Sequence, residues 1–136
     1  MQADNSDAMF IGDGGISADS ALMTVLSVQH EELVVLTVQG SIDILTAPKL
    51  SEAVDQALTG QPRGLIIDLS TTEFLASAGM TALIAAHEAI APNAEFGIVA
   101  DGPALSRPLQ LMGLDQMLTL YPTLAHAVAA MTGTAA

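Results

Sequence analysis

The segment FLASAG, residues 74–79, places a serine where it could do chemistry. Asp68 closes an apolar run, Ser70-Thr71-Thr72-Glu73 reads as a polar turn, and Ser77 then stands at the entry of a helix that begins near Ala78. A serine at that point is first of all an N-cap, whose oxygen takes up a free backbone N–H for roughly 1 kcal/mol. The same position aims the hydroxyl at the positive end of a helix, where a phosphate would be tolerated, so Ser77 also suits a switch. A third role is nucleophile. Ser77, then Asp101 or Asp115, then His126 follow the Ser-Asp-His order of some hydrolases, and Gly79 matches the second glycine of GxSxG. Leu75 replaces the first glycine, however, and 136 residues leave no room for the large sheet and cap of such enzymes.

Metal and phosphate-loop chemistry have less to rest on. His30, His87 and His126 are far apart, none belongs to an HExxH pair, and the chain has no cysteine; a zinc site needs such ligands at set spacings. Asp13-Gly14-Gly15 opens like a calcium loop but lacks the ligands that should follow. Neither GxxxxGK[ST] nor a GxGxxG between strand and helix occurs. A receiver domain would want a lysine late in the chain, whereas the one lysine is Lys49. No metal and no cofactor are expected.

The elements that must hold Ser77 follow from periodicity. LMTVLSV and LVVLTVQ are β-branched runs around the turn residues Gln29 to Glu32, a hairpin that Gly40 ends. In TAPKLSEAVDQALTG, Leu50, Ala53, Val54, Ala57 and Leu58 recur at helical spacing, with Thr46 as cap, Pro48 in the first turn and Gly60 as stop. GLIIDLS is continuously apolar, the mark of a strand buried on both faces. A helix follows Ser77, with Met80, Leu83, Ile84 and Ile90 on one side and Pro92 beyond its end. EFGIVA reads as a strand and DGPALSRPLQLMG as a helix with Leu105, Leu109 and Met112 inward. QMLTLY is a weak last strand, and PTLAHAVAAM a closing helix that aligns Leu124, Val128 and Met131. The order β-β-α-β-α-β-α-β-α predicts an α/β fold: a mixed five-stranded sheet with helices packed mainly on one face and GLIIDL in a central strand.

Composition sets the outer bounds. The chain is 51% hydrophobic and 13% charged, the balance of one folded domain. Residues 1–21 depart from it, with four aspartates, no basic residue and a glycine cluster, and read as a flexible acidic leader in which Phe10 and Ile11 could add an edge strand or docking contact. Residues 22–136 make the domain. Three basic against fifteen acidic residues give a formal charge of -12, which repels phosphate backbones and anionic lipid, so neither nucleic acid nor membrane is an expected partner. The absence of cysteine and of any membrane-length apolar run fits a cytoplasmic protein.

IIDLSTTEFLASAG resembles the signature of the STAS domains, in particular the single-domain anti-sigma factor antagonists. There an apolar strand ending in Asp-x-Ser precedes Phe-x-Asp-Ser-Ser/Ala-Gly at a helix start, and Asp68, Ser70, Phe74, Ser77, Ala78 and Gly79 match it. GSIDILTAPKL resembles a second family segment, with Gly40, Asp43, Thr46 and Ala47 in place. The likeness spans about residues 25–131. It implies a binding protein, not an enzyme, one that docks onto an anti-sigma factor, often a serine kinase, and so frees a sigma factor. It also implies phosphorylation at Ser77 that ends the complex and a serine phosphatase that resets it. The implied contacts are Asp43, Thr46, Ser70, Thr72, Glu73, Ala76, Ser77 and Gly79. Ala76 is a departure, since the family pattern has Asp immediately before the serine.

Overall fold

Two β-branched runs joined by two residues can only return on themselves. β1 (Met23–His30) and β2 (Leu33–Ile42) are linked by Glu31 and Glu32, and Glu31 takes the positive φ, 57°, that a two-residue hairpin turn demands. The antiparallel register runs unbroken from Met23↔Gly40 to His30↔Leu33. The computed structural model describes residues 23–132 except Pro92. The leader expected over residues 1–21, Phe10 and Ile11 with it, lies outside the described residues.

Strands and helices then alternate: α1 (Ala47–Leu58), β3 (Gly64–Leu75), α2 (Ser77–Ile90), β4 (Glu95–Val99), α3 (Pro103–Leu111), a 3-10 turn over Leu114–Gln116, β5 (Leu120–Tyr121) and α4 (Leu124–Thr132). The sheet order is β1-β2-β3-β4-β5. Every pair after the hairpin is parallel, so each crossover carries a helix. This is the mixed five-stranded sheet that the alternation predicts, with the apolar run of β3 in its middle.

That run explains the layers. Leu65 and Ile67 point to one face and Ile66 to the other, and all three are fully buried, so both faces must be covered. On the first, Leu50 and Val54 of α1, Leu83 and Ile90 of α2, and Leu105 and Leu109 of α3 pack on β2, β3 and β4. On the second, Ala127 and Met131 of α4 meet Leu33, Val35, Ile66 and Val99. Three helices thus share one face and the fourth crosses to the other. Amide exchange is expected to place Leu65 to Asp68 among the slowest residues of the domain; fast exchange there would contradict the central position.

Three boundaries differ from expectation. β2 continues past Gly40 to Ile42, and β3 continues through the supposed turn at residues 70–73 to Leu75. β5 shrinks to two residues, because Leu114 and Leu118 are drawn into the core and the chain between them coils. Met112, expected to face inward, is the residue that ends α3 and is exposed.

Candidate functional site

Beyond Asp68, β3 loses β4 as a neighbour and runs on beside β2 alone. This two-stranded tip is irregular, with register shifts between Thr37 and Gln39 and between Gly40 and Ser41. Gly40 supplies the positive φ of 96° that the second shift uses. Side chains replace the ladder bonds lost at such shifts. The Thr71 and Thr72 hydroxyls both donate to the Val38 carbonyl, at 3.1 and 2.8 Å. The buried Asp68 carboxylate accepts the Ser70 N–H at 3.0 Å. The Asp-x-Ser pattern is therefore a local brace, and the Thr-Thr pair a cross-strand one.

The tip delivers the chain into α2. The Ala76 N–H donates to the Ile42 carbonyl at 2.8 Å, and the Ala76 carbonyl accepts the first helical bonds, from Gly79 at 2.9 Å and Met80 at 3.1 Å. Ala76 is thus the cap, in extended backbone, and Ser77 is the first helical residue. This corrects the expected N-cap by one position. Ser77 is exposed, and its hydroxyl makes no hydrogen bond among the described residues. Gly79 sits within the first turn, where an added Cβ would lie 2.6 Å from Leu75 and 2.7 Å from Ile42. Only a bare Cα lets α2 start this close to the tip.

The neighbouring loop is built by its own side chains. One Asp43 carboxylate oxygen accepts the Leu45 and Thr46 N–H groups, each at 3.0 Å. The Thr46 hydroxyl accepts the Asp43 N–H at 2.9 Å and reaches the Ser41 carbonyl at 2.9 Å. Thr46 does hold the cap position of α1, but its hydroxyl turns back into the loop. With both polar groups facing inward, Ile44 and Leu45 are pushed out, 77% and 71% exposed, and Phe74 on the adjoining tip is 56% exposed. From Ile44 a shallow groove of about 550 Å³ runs between α1 and α2, past Glu52 and Asp55 on one wall and Ala78 and Thr81 on the other.

The residues expected at a contact surface therefore divide. Ser70, Glu73 and Ser77 are exposed at the tip and helix start, and Asp43 and Ala76 are half-buried beside them. Thr46, Thr72 and Gly79 are buried, so they shape the surface from beneath rather than offer themselves to a partner. Ile44, Leu45 and Phe74 are its main apolar features; an Ile-Leu pair between a strand end and a helix cap was the sequence signal for the first two. The serine-hydrolase arrangement is not assembled: α4 carries His126 on the far face of the sheet, where its Nδ1 lies 2.7 Å from the Thr123 hydroxyl. Among the described residues no cluster of three or more histidines and carboxylates could hold a metal ion, and no helix is long and apolar enough to cross a membrane.

The tip, braced at Asp68 and Ser70, thus delivers Ser77 to a helix start fixed by the Ala76–Ile42 backbone bond. The STAS domain profile matches residues 24–127. The chain belongs to the STAS domain family. As such it is a regulatory binding domain of the anti-sigma factor antagonist group. The anti-sigma-F factor antagonist RsfB of Mycobacterium tuberculosis is 40% identical over 111 residues, covering 82% of this chain and 91% of that protein. The crystal structure of an anti-sigma factor antagonist from Mycobacterium paratuberculosis is 42% identical, with a TM-score of 0.79 over 85% of this chain and 97% of that one. SpoIIAA in its unphosphorylated form, at 17% identity, shares the fold with a TM-score of 0.67 over 83% of this chain and all of its own.

Proposed function

We propose that this STAS domain binds an anti-sigma factor through the β2–β3 tip, the 43–46 loop and the exposed side of α2, and thereby releases a sigma factor. The observation that carries the reading is the collar of Ile44, Leu45 and Phe74 beside an exposed, unengaged Ser77. Clustered apolar residues of this size on a monomer's surface mark a place where another protein lands. The names of the two mycobacterial relatives support the same activity. The groove's Glu52 and Asp55 favour a partner that brings basic side chains to an apolar ridge.

The finer part of the proposal is a phosphoryl switch in the cytoplasm. The partner is a serine kinase, Ser77 is its acceptor, and a serine phosphatase restores the binding form. Its support is geometric: Ser77 opens a 14-residue helix, its hydroxyl is exposed, and the first N–H groups of α2 face the same solvent. A second reading, a scaffold or sensor subunit that assembles regulators without phosphorylation, is favoured by Ala76, which leaves no carboxylate next to the serine. Neither nucleic acid nor membrane enters either reading, given the charge of -12.

Pairwise binding to the anti-sigma factor recovered from the native extract tests the interface. Leu45→Ser and Phe74→Ser are each expected to weaken binding about tenfold or more, as central apolar anchors do, with the melting temperature unchanged because both side chains stand in water. Wild-type affinity in both variants would move the interface elsewhere. Recovery of a multi-protein regulatory assembly that holds no anti-sigma factor would favour the scaffold.

A further inference from the structure

β1 is the outer strand of the sheet, and among the described residues no strand pairs with its free edge, which the Lys49 ammonium reaches at the Met23 carbonyl. Met23 and Val25 meet the core beneath α1, but from Leu26 to His30 every residue is exposed. Leu26 and Val28, 63% and 46% exposed, stand on the face that α4 leaves uncovered. Edge strands of soluble monomers are shielded by charge, proline or a bulge. MTVLSVQH contains no charged Asp, Glu, Lys or Arg and no proline, and it pairs with β2 without a register shift.

We propose that two copies of this chain associate through β1, antiparallel about a two-fold axis at Ser27, so that their sheets become one. The hydrogen-bond phase permits it. A two-residue turn makes His30 and Leu33 a pair that exchanges both backbone bonds, and the alternation then turns the even-numbered residues of β1 toward β2. The N–H and C=O groups of Val25, Ser27 and Gln29 are left facing outward. The Lys49 ammonium, 3.1 Å from the Met23 carbonyl, fits the same phase, since it reaches that oxygen from outside the hairpin.

The register follows from side chains and charge. A two-fold axis normal to the sheet keeps each face on its own side, so opposed residues must both be even or both be odd. Centring on Ser27 sets Leu26 beside Val28 of the second copy, twice, and so joins the exposed apolar residues of the strand to each other. It also sets Glu31 of one copy opposite Met23 of the other, next to the Lys49 ammonium. In a chain of net charge -12 an uncharged strand flanked by an acid at one end and the sole lysine at the other is where two copies meet with least repulsion. Because Met23 lies at the tip end of the sheet, opposite Gly40 and through it Thr72, antiparallel pairing sends the two Ser77 surfaces to opposite ends. Each stays open to a partner.

Sedimentation velocity on the full chain across a concentration series tests this. A monomer–dimer equilibrium is expected, and Leu26→Lys, at a solvent-facing position that leaves the fold intact, should weaken it about tenfold or more by bringing like charges to the axis. Lys49→Glu should weaken it as well, and adding Glu31→Lys to that variant should restore it. The chain has no cysteine, so Ser27→Cys should oxidise to a covalent dimer, the opposed Cα atoms of such a pair being about 5.5 Å apart and within disulfide reach. A monomer at every concentration, a dimer indifferent to Leu26→Lys, or no cross-link from Ser27→Cys would overturn the proposal.

Discussion

Gly79→Val is expected to lower the stability of the domain by about 3 kcal/mol, and Gly79→Ala by a smaller amount, although both residues are better helix formers than glycine. The sign is decided by distance. A methyl at position 79 would lie 2.6 Å from the Leu75 side chain and 2.7 Å from that of Ile42, both of which are buried at the ends of β3 and β2. Neither neighbour can yield far, because Ile42 is fully buried and its carbonyl holds the Ala76 N–H. The propensity gain from glycine to alanine, about 1 kcal/mol, is met by an overpacking cost of about 1–3 kcal/mol, and the two extra methyls of valine add to the second figure alone. Against a typical total of about 5–15 kcal/mol this is a large loss, read as a fall of the urea midpoint at constant slope. Thr81→Val, on the solvent side of the same helix, is the control and should leave the midpoint nearly unmoved. An unchanged midpoint for Gly79→Val would mean that α2 does not sit this close to the tip. A folded but weakened variant should also lose partner affinity, since the helix that carries Ser77 must lift to admit the side chain.

How far the fold and site were legible can be argued from three places. The strand–helix alternation was readable because each element carries its own period: Leu50 and Val54 turn inward at helical spacing, and Leu65, Ile66 and Ile67 are apolar without interruption because two layers of helix cover them. The tip was not readable as strand. Ser70-Thr71-Thr72-Glu73 has turn composition, and what keeps it extended is non-local, two hydroxyls reaching the Val38 carbonyl more than thirty positions back in the chain. The helix cap was missed for a related reason. A serine preceding a helical period is ordinarily its cap, but here the parallel pairing of Ile42 with Leu75 places Ala76 over the end of β2, and its backbone is captured there first. That shift by one residue is what leaves the Ser77 hydroxyl unengaged. Asp43 and Thr46 are contacts implied by the family resemblance, with Thr46 also expected as a helix cap. Their mutual hydrogen bonds shape the loop, and its exposed positions fall to the Ile44–Leu45 pair between them.

Phosphorylation of Ser77 is expected to weaken the complex with the anti-sigma factor at least about tenfold, which requires only about 1.4 kcal/mol. In the free protein the phosphate is well placed, since it adds roughly -1.5 to -2 charge at the start of α2, where unpaired N–H groups and the helix dipole favour it. In the complex the same charge is stripped of water beside Ile44, Leu45 and Phe74 and lies in a chain already at -12, with Glu73 exposed nearby. The dipole acts in both states and cancels from the difference, whereas the desolvation acts only in the complex and so sets the sign. The measurement is intact mass and peptide mapping after incubation with the kinase partner and ATP, followed by titration of the separated forms. Phosphate confined to Ser70, Thr71 or Thr72 would refute the acceptor, and the geometry already ranks two of these lower, because the Thr71 and Thr72 hydroxyls are committed to the Val38 carbonyl. Ala76→Asp then separates the switch from the scaffold. Position 76 is half-buried with its backbone tied to Ile42, so an added carboxylate would stand directly before the serine and would itself cap the free N–H groups of α2. If a carboxylate there orients the hydroxyl, Ala76→Asp should raise the phosphorylation rate, and as a capping acid in place of alanine it should also raise the melting temperature, through about 1 kcal/mol of added stability. An unchanged rate would assign the positioning to the kinase's own residues, and no phosphate in either form would leave a constitutively binding scaffold.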